Sequence, residues 1–200
     1  MLNVSSERSA WERLTKEVEA HGKYITITGF KGVKIEDVHI LLEHIREKAK
    51  SGCVQLFDAS LIASWEHLYF AAINALRAFE TGLRISNDLA IETLLYASAQ
   101  HQIRRAVELV GVKPSSYDIG VLIISETKTE ADRTLRILSD TLQGTVSNEA
   151  LELTKEKIET IRNFFNISHL EMEAASRGES PEKTLVDLVI EHMALLVVHT

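Results

Sequence analysis

Cysteine is nearly absent from this chain. Its 200 residues hold one, Cys53, which excludes a disulfide framework and a cysteine-based zinc site. Two prolines and nine glycines exclude collagen-like and low-complexity classes. Long apolar runs are missing too. The most apolar stretch, Thr184 to Val198, is broken by Asp187, Glu191 and His192. It falls short of the roughly 20 apolar residues that span a bilayer. Residues 1–11 lack the apolar stretch and small-residue cleavage site of a signal peptide. Basic side chains are in the minority, 22 Lys and Arg against 29 Asp and Glu, a formal charge of -7. A basic balance is the usual footprint of a nucleic-acid binder, so charge alone argues against one. What is present is an ordinary globular composition, 45% hydrophobic and 26% charged, long enough to bury a core without staples. The expectation is a soluble cytoplasmic protein with no membrane association. It has a helical extension over residues 1–20 and a single α/β domain over residues 21–200.

Periodicity fills in that domain. Ser5 and Ser6 can cap a polar helix running to Ala20, with Trp11, Leu14 and Val18 on one stripe, ended by His21-Gly22. Residues 24–29 alternate and are β-branched, so they read as a strand. Ile35, Val38, Leu42, Ile45 and Ala49 recur at helical spacing. Residues 53–58 give a second strand, and the resulting β-α-β order allows the two strands to lie parallel. Ser64 caps a helix with Trp65, Leu68, Tyr69, Ala72, Leu76 and Phe79 on one wide apolar face. Two further helices span 87–99 and 102–110. Residues 117–125 form the strongest strand, apolar throughout and so buried on both faces. Helices follow over 129–143, from Ser147-Asn148 to Phe165, and from Ser180-Pro181 to Val198. The last leaves little polar face and reads as buried all round. The fold class is α/β: a small three- or four-stranded mixed sheet surrounded by many helices.

No catalytic signature stands out. There is no phosphate-binding Walker loop, dinucleotide fingerprint or kinase Asp-Phe-Gly. His39 and His44 are five apart, which is not ligand spacing on a helix, and His192 and His199 lack a Glu-x-x-His partner. No catalytic residue, metal or cofactor is expected. Gly29-Phe-Lys-Gly32 could present N–H groups to a phosphate, but reads more simply as a turn that needs glycines. Cys53 reads as a core thiol. Asp58 reads as a loop-fixing carboxylate. Charge is unevenly distributed. Residues 77–113 carry five basic and four acidic side chains, whereas residues 144–200 carry five and ten. Arg77, Arg84, Arg104, Arg105 and Lys113 lie in the one segment with positive net charge. They are either a solvated helix face or a small anion site suited to a few phosphates.

Several segments in this region resemble a known family. They are Val54-Gln-Leu-Phe-Asp-Ala59, Glu66-His-Leu68, Ala71-Ala72 and Ala75-Leu-Arg-Ala-Phe79, then the block from Ile85 to Ser98, Gln102-Ile103 and Ala106 to Gly111. The chain is similar here to the small tRNA-binding, kinase-binding accessory subunit of the KEOPS complex, and its ending, Val186 to Leu196, is similar to the archaeal branch. The likeness runs from about Tyr24 onward and is weak over 144–180. It implies a non-enzymatic subunit of the machinery that makes N6-threonylcarbamoyladenosine beside the tRNA anticodon. It further implies direct binding to the atypical kinase/ATPase subunit, indirect association with the KEOPS catalytic subunit, and a grip on the 3′ CCA end of tRNA. That grip would be local, because single-stranded ends are read by stacking and base edges. Carried onto this chain, Arg84, Arg104, Arg105 and Arg77 would contact phosphates. Asn87, Ser98 and Gln102 would read base edges or sugars, and His67 would join them. Tyr96 is either a stacking platform or a core residue. Glu92 either orients an arginine or caps the local fold. An exposed apolar strip is expected to take the kinase. The alternative is a pure protein-interaction adaptor without direct RNA binding.

Overall fold

The computed structural model describes residues 15–49 and 52–196. The expected capping serines 5 and 6, with Trp11 and Leu14, lie outside the described residues, as does the chain after Leu196. Five strands form one sheet: β1 (Thr15–Ala20), β2 (Lys23–Lys31), β3 (Cys53–Asp58), β4 (Ile119–Ser125) and β5 (Thr145–Val146). The order is β1-β2-β4-β3, with β5 joining β2 beyond β1. Every pairing is antiparallel. β2 and β3 do run in the same direction, but β4 lies between them, so they are not partners. The helix expected up to Ala20 is a strand over Thr15–Ala20 instead. His21 and Gly22 both have positive φ, 53° and 66°, and link Ala20 directly to Lys23 as a two-residue hairpin turn.

Side-chain alternation gives the sheet two apolar faces. Ile25, Ile27, Leu122, Ile124 and Phe57 point to one side. There they meet α2 (Trp65–Thr81), α3 (Leu89–Ser98) and α4 (Ile103–Val110). Phe30, Leu56, Ile119, Val121 and Ile123 point to the other. There they meet α1 (Val38–Lys48) and α5 (Lys128–Leu142). β4 is buried along its whole length, as its continuous apolar run requires. Gly29 is a packing glycine rather than a turn glycine. A Cβ there would stand 2.5 Å from the Ser147 carbonyl oxygen and 2.7 Å from Ala150 Cβ. Gly32 does need its left-handed φ of 73°, and its N–H donates to Asp118 Oδ1 at 3.3 Å.

The C-terminal third departs from the expected single long helix after Ser147. A short 3-10 turn (Asn148–Leu151) is followed by α6 (Lys155–Phe164), α7 (His169–Ala175) and α8 (Pro181–Ala194). Thr154 starts α6 by accepting the Lys157 N–H, and Ser168 with Glu171 forms a capping box on α7. These local hydrogen bonds restart the helix where periodicity suggested continuity. α8 is not buried all round. Leu185, Leu188, Val189 and Met193 are buried, while Asp187, Glu191 and Leu195 face out. No helix among the described residues is long and apolar enough to cross a membrane.

Candidate nucleic-acid and partner surfaces

α2 and α3 form an antiparallel hairpin, and its two ends divide the expected binding residues. At the first end, Glu92 is fully buried in the first turn of α3. Its carboxylate accepts the Ile85 N–H at 3.1 Å and the Ser86 N–H at 2.7 Å. This holds the loop after Gly82, whose φ of 75° ends α2. Of the two roles open for Glu92, it therefore fills the structural one. The loop presents Arg84, whose guanidinium lies 5.2 Å from the Phe79 ring centroid and whose Nε donates to Asn87 Oδ1 at 3.2 Å. Arg84 and Asn87 are exposed and adjoin each other; Arg77 is exposed on the last turns of α2.

At the second end, His67 begins α2 and is fully buried. Its Nδ1 accepts the Ala63 N–H at 3.1 Å, so Nε2 carries the proton and donates to the Ala97 carbonyl at 2.9 Å. Burial pushes its pKa down to about 4. His67 is thus a neutral pin buried between the helices, not on the surface where the resemblance would have it touch RNA. Ser98 is buried likewise, and its hydroxyl donates back to the Leu94 carbonyl at 2.8 Å. Tyr96 is in the core rather than a stacking platform. Beyond the left-handed Ala99 (φ 49°), Gln102, Arg104 and Arg105 are exposed at the start of α4. Arg104 Nε is engaged by Glu108 Oε1 at 2.9 Å, whereas Arg105 has no acidic partner among the described residues. The length of α3, ten residues or about 15 Å, separates this trio from Arg84 and Asn87. They are two patches, not one pocket.

Other chemistry-bearing side chains are held locally. Asp58 accepts from the Ser60 N–H at 3.0 Å and the Ser116 hydroxyl at 2.6 Å, fixing the loop after β3 as its position suggested. Burial pushes the Cys53 thiol up to about 12, so it is not an activated nucleophile. Burial pushes Lys157 down to about 8; its ammonium donates to the Glu152 carbonyl at 3.1 Å. No cluster of three or more His, Cys, Asp or Glu that could hold a metal occurs among the described residues.

A second surface lies between α2 and α8. Trp65, Phe70, Val186 and Ile190 line a groove of about 630 Å³ flanked by Lys16 and Lys183. Lys16 Nζ sits 5.6 Å from the Trp65 ring, and Trp65, Tyr69 and Phe70 form a tilted aromatic series. Phe70 is 38% exposed. Sequence periodicity placed Trp65 and Tyr69 in the core stripe and missed this surface. Its signal was the third aromatic, Phe70, off that stripe.

Fold and surfaces together define a three-layer α/β protein with exposed arginines and an apolar groove. The family is fixed by comparison. The chain matches the model of the family described as kinase binding protein CGI-121 over residues 30–196, and it belongs to that family. A relative is the regulatory protein Cgi121 of Methanocaldococcus jannaschii, 27% identical over 142 residues. The alignment covers 71% of this chain and 81% of the relative. The matched span includes residues 144–180.

Proposed function

We propose that this protein is a non-catalytic, kinase-binding subunit of the KEOPS complex that also takes tRNA by its 3′ CCA end. Membership of a kinase-binding family over residues 30–196 is the observation that carries the kinase part of this reading. The groove between α2 and α8 is the kinase-docking surface in this proposal. It joins the exposed Phe70 to half-buried Trp65, Val186 and Ile190, and aromatic side chains contribute heavily to interface energetics. Its mixed rim of Lys16, Lys183, Glu66 and Asp187 suits a protein better than a polyanion. Pull-down of the cognate kinase by wild type, and its loss in Phe70→Glu with an unchanged far-UV spectrum, is the expected result.

The tRNA part rests on Arg84 with Asn87 and on Arg105, which has no acidic partner among the described residues. Both patches are small, which matches a grip on a few nucleotides rather than on a duplex. Supporting formation of N6-threonylcarbamoyladenosine then requires no catalytic group here; the chain contributes substrate and kinase binding. Gel-shift with intact and CCA-trimmed tRNA tests this. One observation favours a second reading, a protein adaptor without RNA contact. Two of the eight expected RNA residues, His67 and Ser98, are buried, and Arg104 is already paired. In that case Arg84→Glu and Arg105→Glu leave complex activity unchanged.

A further inference from the structure

The groove between α2 and α8 lies where the chain enters the sheet. Lys16, the second residue of β1, lines it and holds its ammonium 5.6 Å from the Trp65 ring. Thr15, the first, pairs with Thr28 and is buried. Beyond Thr28 the edge of β2 is already taken. The Gly29 carbonyl accepts the Ser147 N–H at 2.9 Å, and Phe30 and Lys31 pair with Val146 and Thr145 of β5. That edge therefore offers no further ladder position to the residues before Thr15. The 3-10 turn after β5 brings Leu151 to the same groove. Whatever precedes Thr15 starts beside the mouth of an apolar groove, with the alternative of sheet pairing closed.

Residues 1–14 precede β1, and the family match begins only at residue 30. They include Trp11 and Leu14, with Arg8 and Arg13 beside them. Apolar side chains three apart share one face of a helical turn. Trp11 stands four residues before Thr15, a reach of at most about 14 Å. Trp65, Phe70, Val186 and Ile190 form the groove, and Leu151 and Leu153 add to its lining. The rim carries Glu66, Glu152, Glu182 and Asp187 against Lys16 and Lys183. Lys183 is itself engaged by Glu179. Carboxylates are thus in excess, which suits an apolar occupant that brings arginines.

We propose that the chain's own residues 1–14 are the resident occupant of this groove, seating Trp11 and Leu14 against Trp65, Phe70 and Ile190, and that the kinase displaces them in order to dock. The competition rests on the reading that the kinase uses this groove; the seating does not. A tethered segment meets its site at about millimolar effective concentration, so modest contacts suffice to fill it. A partner in free solution lacks that advantage. The apparent affinity of the kinase is then reduced by the fraction of molecules whose groove stands open. Covering Trp65 and Phe70 also removes an apolar patch from the surface of the uncomplexed protein.

The test uses the full chain. Trp65→Phe leaves Trp11 as its one tryptophan. As an indole seated in an apolar groove, Trp11 should be quenched by acrylamide about threefold less than in the urea-unfolded chain. Adding Phe70→Glu should restore the quenching. Ala10→Cys with Asp187→Cys, joined by a short bis-maleimide, carries this part if Trp65→Phe fails to fold, with the two single variants as controls. In kinase titrations, Trp11→Glu should raise the affinity about fivefold with an unchanged far-UV spectrum. Quenching as strong as in the unfolded chain, or no cross-link, overturns the inference and leaves the kinase reading of the groove standing. A shielded Trp11 with unchanged kinase affinity in Trp11→Glu overturns the competition and counts against that reading instead. Weaker kinase binding by Trp11→Glu also overturns the competition, since the segment then belongs to the docking surface.

Discussion

At the scale of single residues, buried polar groups carry the most definite expectations. His67 has both ring nitrogens engaged by backbone in a dry site. His67→Ala strands the Ala63 N–H and the Ala97 carbonyl and should cost roughly 3 kcal/mol, read by denaturant unfolding. Its pKa of about 4 lies below the ordinary histidine value of 6.5, so between these values the unfolded chain binds more protons. Stability from this group is thus complete above about pH 6.5 and falls as pH drops toward 4. Thermal unfolding of wild type should show that acid slope, and His67→Asn should flatten it. Glu92→Gln should loosen the loop carrying Arg84, costing about 1–2 kcal/mol and weakening tRNA binding more than kinase binding. The buried state of Glu92 was half visible in sequence, where an acid facing RNA made little sense. The burial of Ser98 was not visible, because its hydroxyl is satisfied by its own helix and leaves no distinctive pattern.

At the scale of elements, the α2–α3 hairpin positions what the proposal uses. Charge reversal at Arg84 or Arg105 should lower tRNA affinity about tenfold with folding intact. Reversal at Arg104 should do less, because its guanidinium is paired with Glu108. The β2–β5 contact gives a further expectation: Gly29→Ala drives a Cβ into Ser147 and Ala150 and should destabilise by about 1–3 kcal/mol. How legible each element was depended on whether its own residues determine it. β4 announced itself through an unbroken apolar run, and Ser64 and Ser180 marked true helix starts. β1 did not, because Lys, Glu and Ala favour helix and only pairing with β2 makes them a strand. The break before α6 was hidden for a related reason: Thr154 and the 3-10 turn interrupt a segment whose charge and apolar spacing both suit a helix.

At the scale of the molecule, the shortage of basic residues narrows the function instead of forbidding it. A chain at -7 cannot hold nucleic acid by a broad electrostatic surface. Any grip must come from a few cations and shaped recognition, so the salt dependence of tRNA binding should be shallow, with two or three phosphates contacted. The family match supports a kinase partner; in the proposal the apolar groove between α2 and α8 takes that partner and the Arg84 loop takes the nucleotide end. The most direct test of the account is the affinity of the isolated protein for one tRNA with and without its CCA end. The account predicts at least a tenfold loss on trimming. Equal affinity for the two would contradict it and leave a subunit that binds only its kinase.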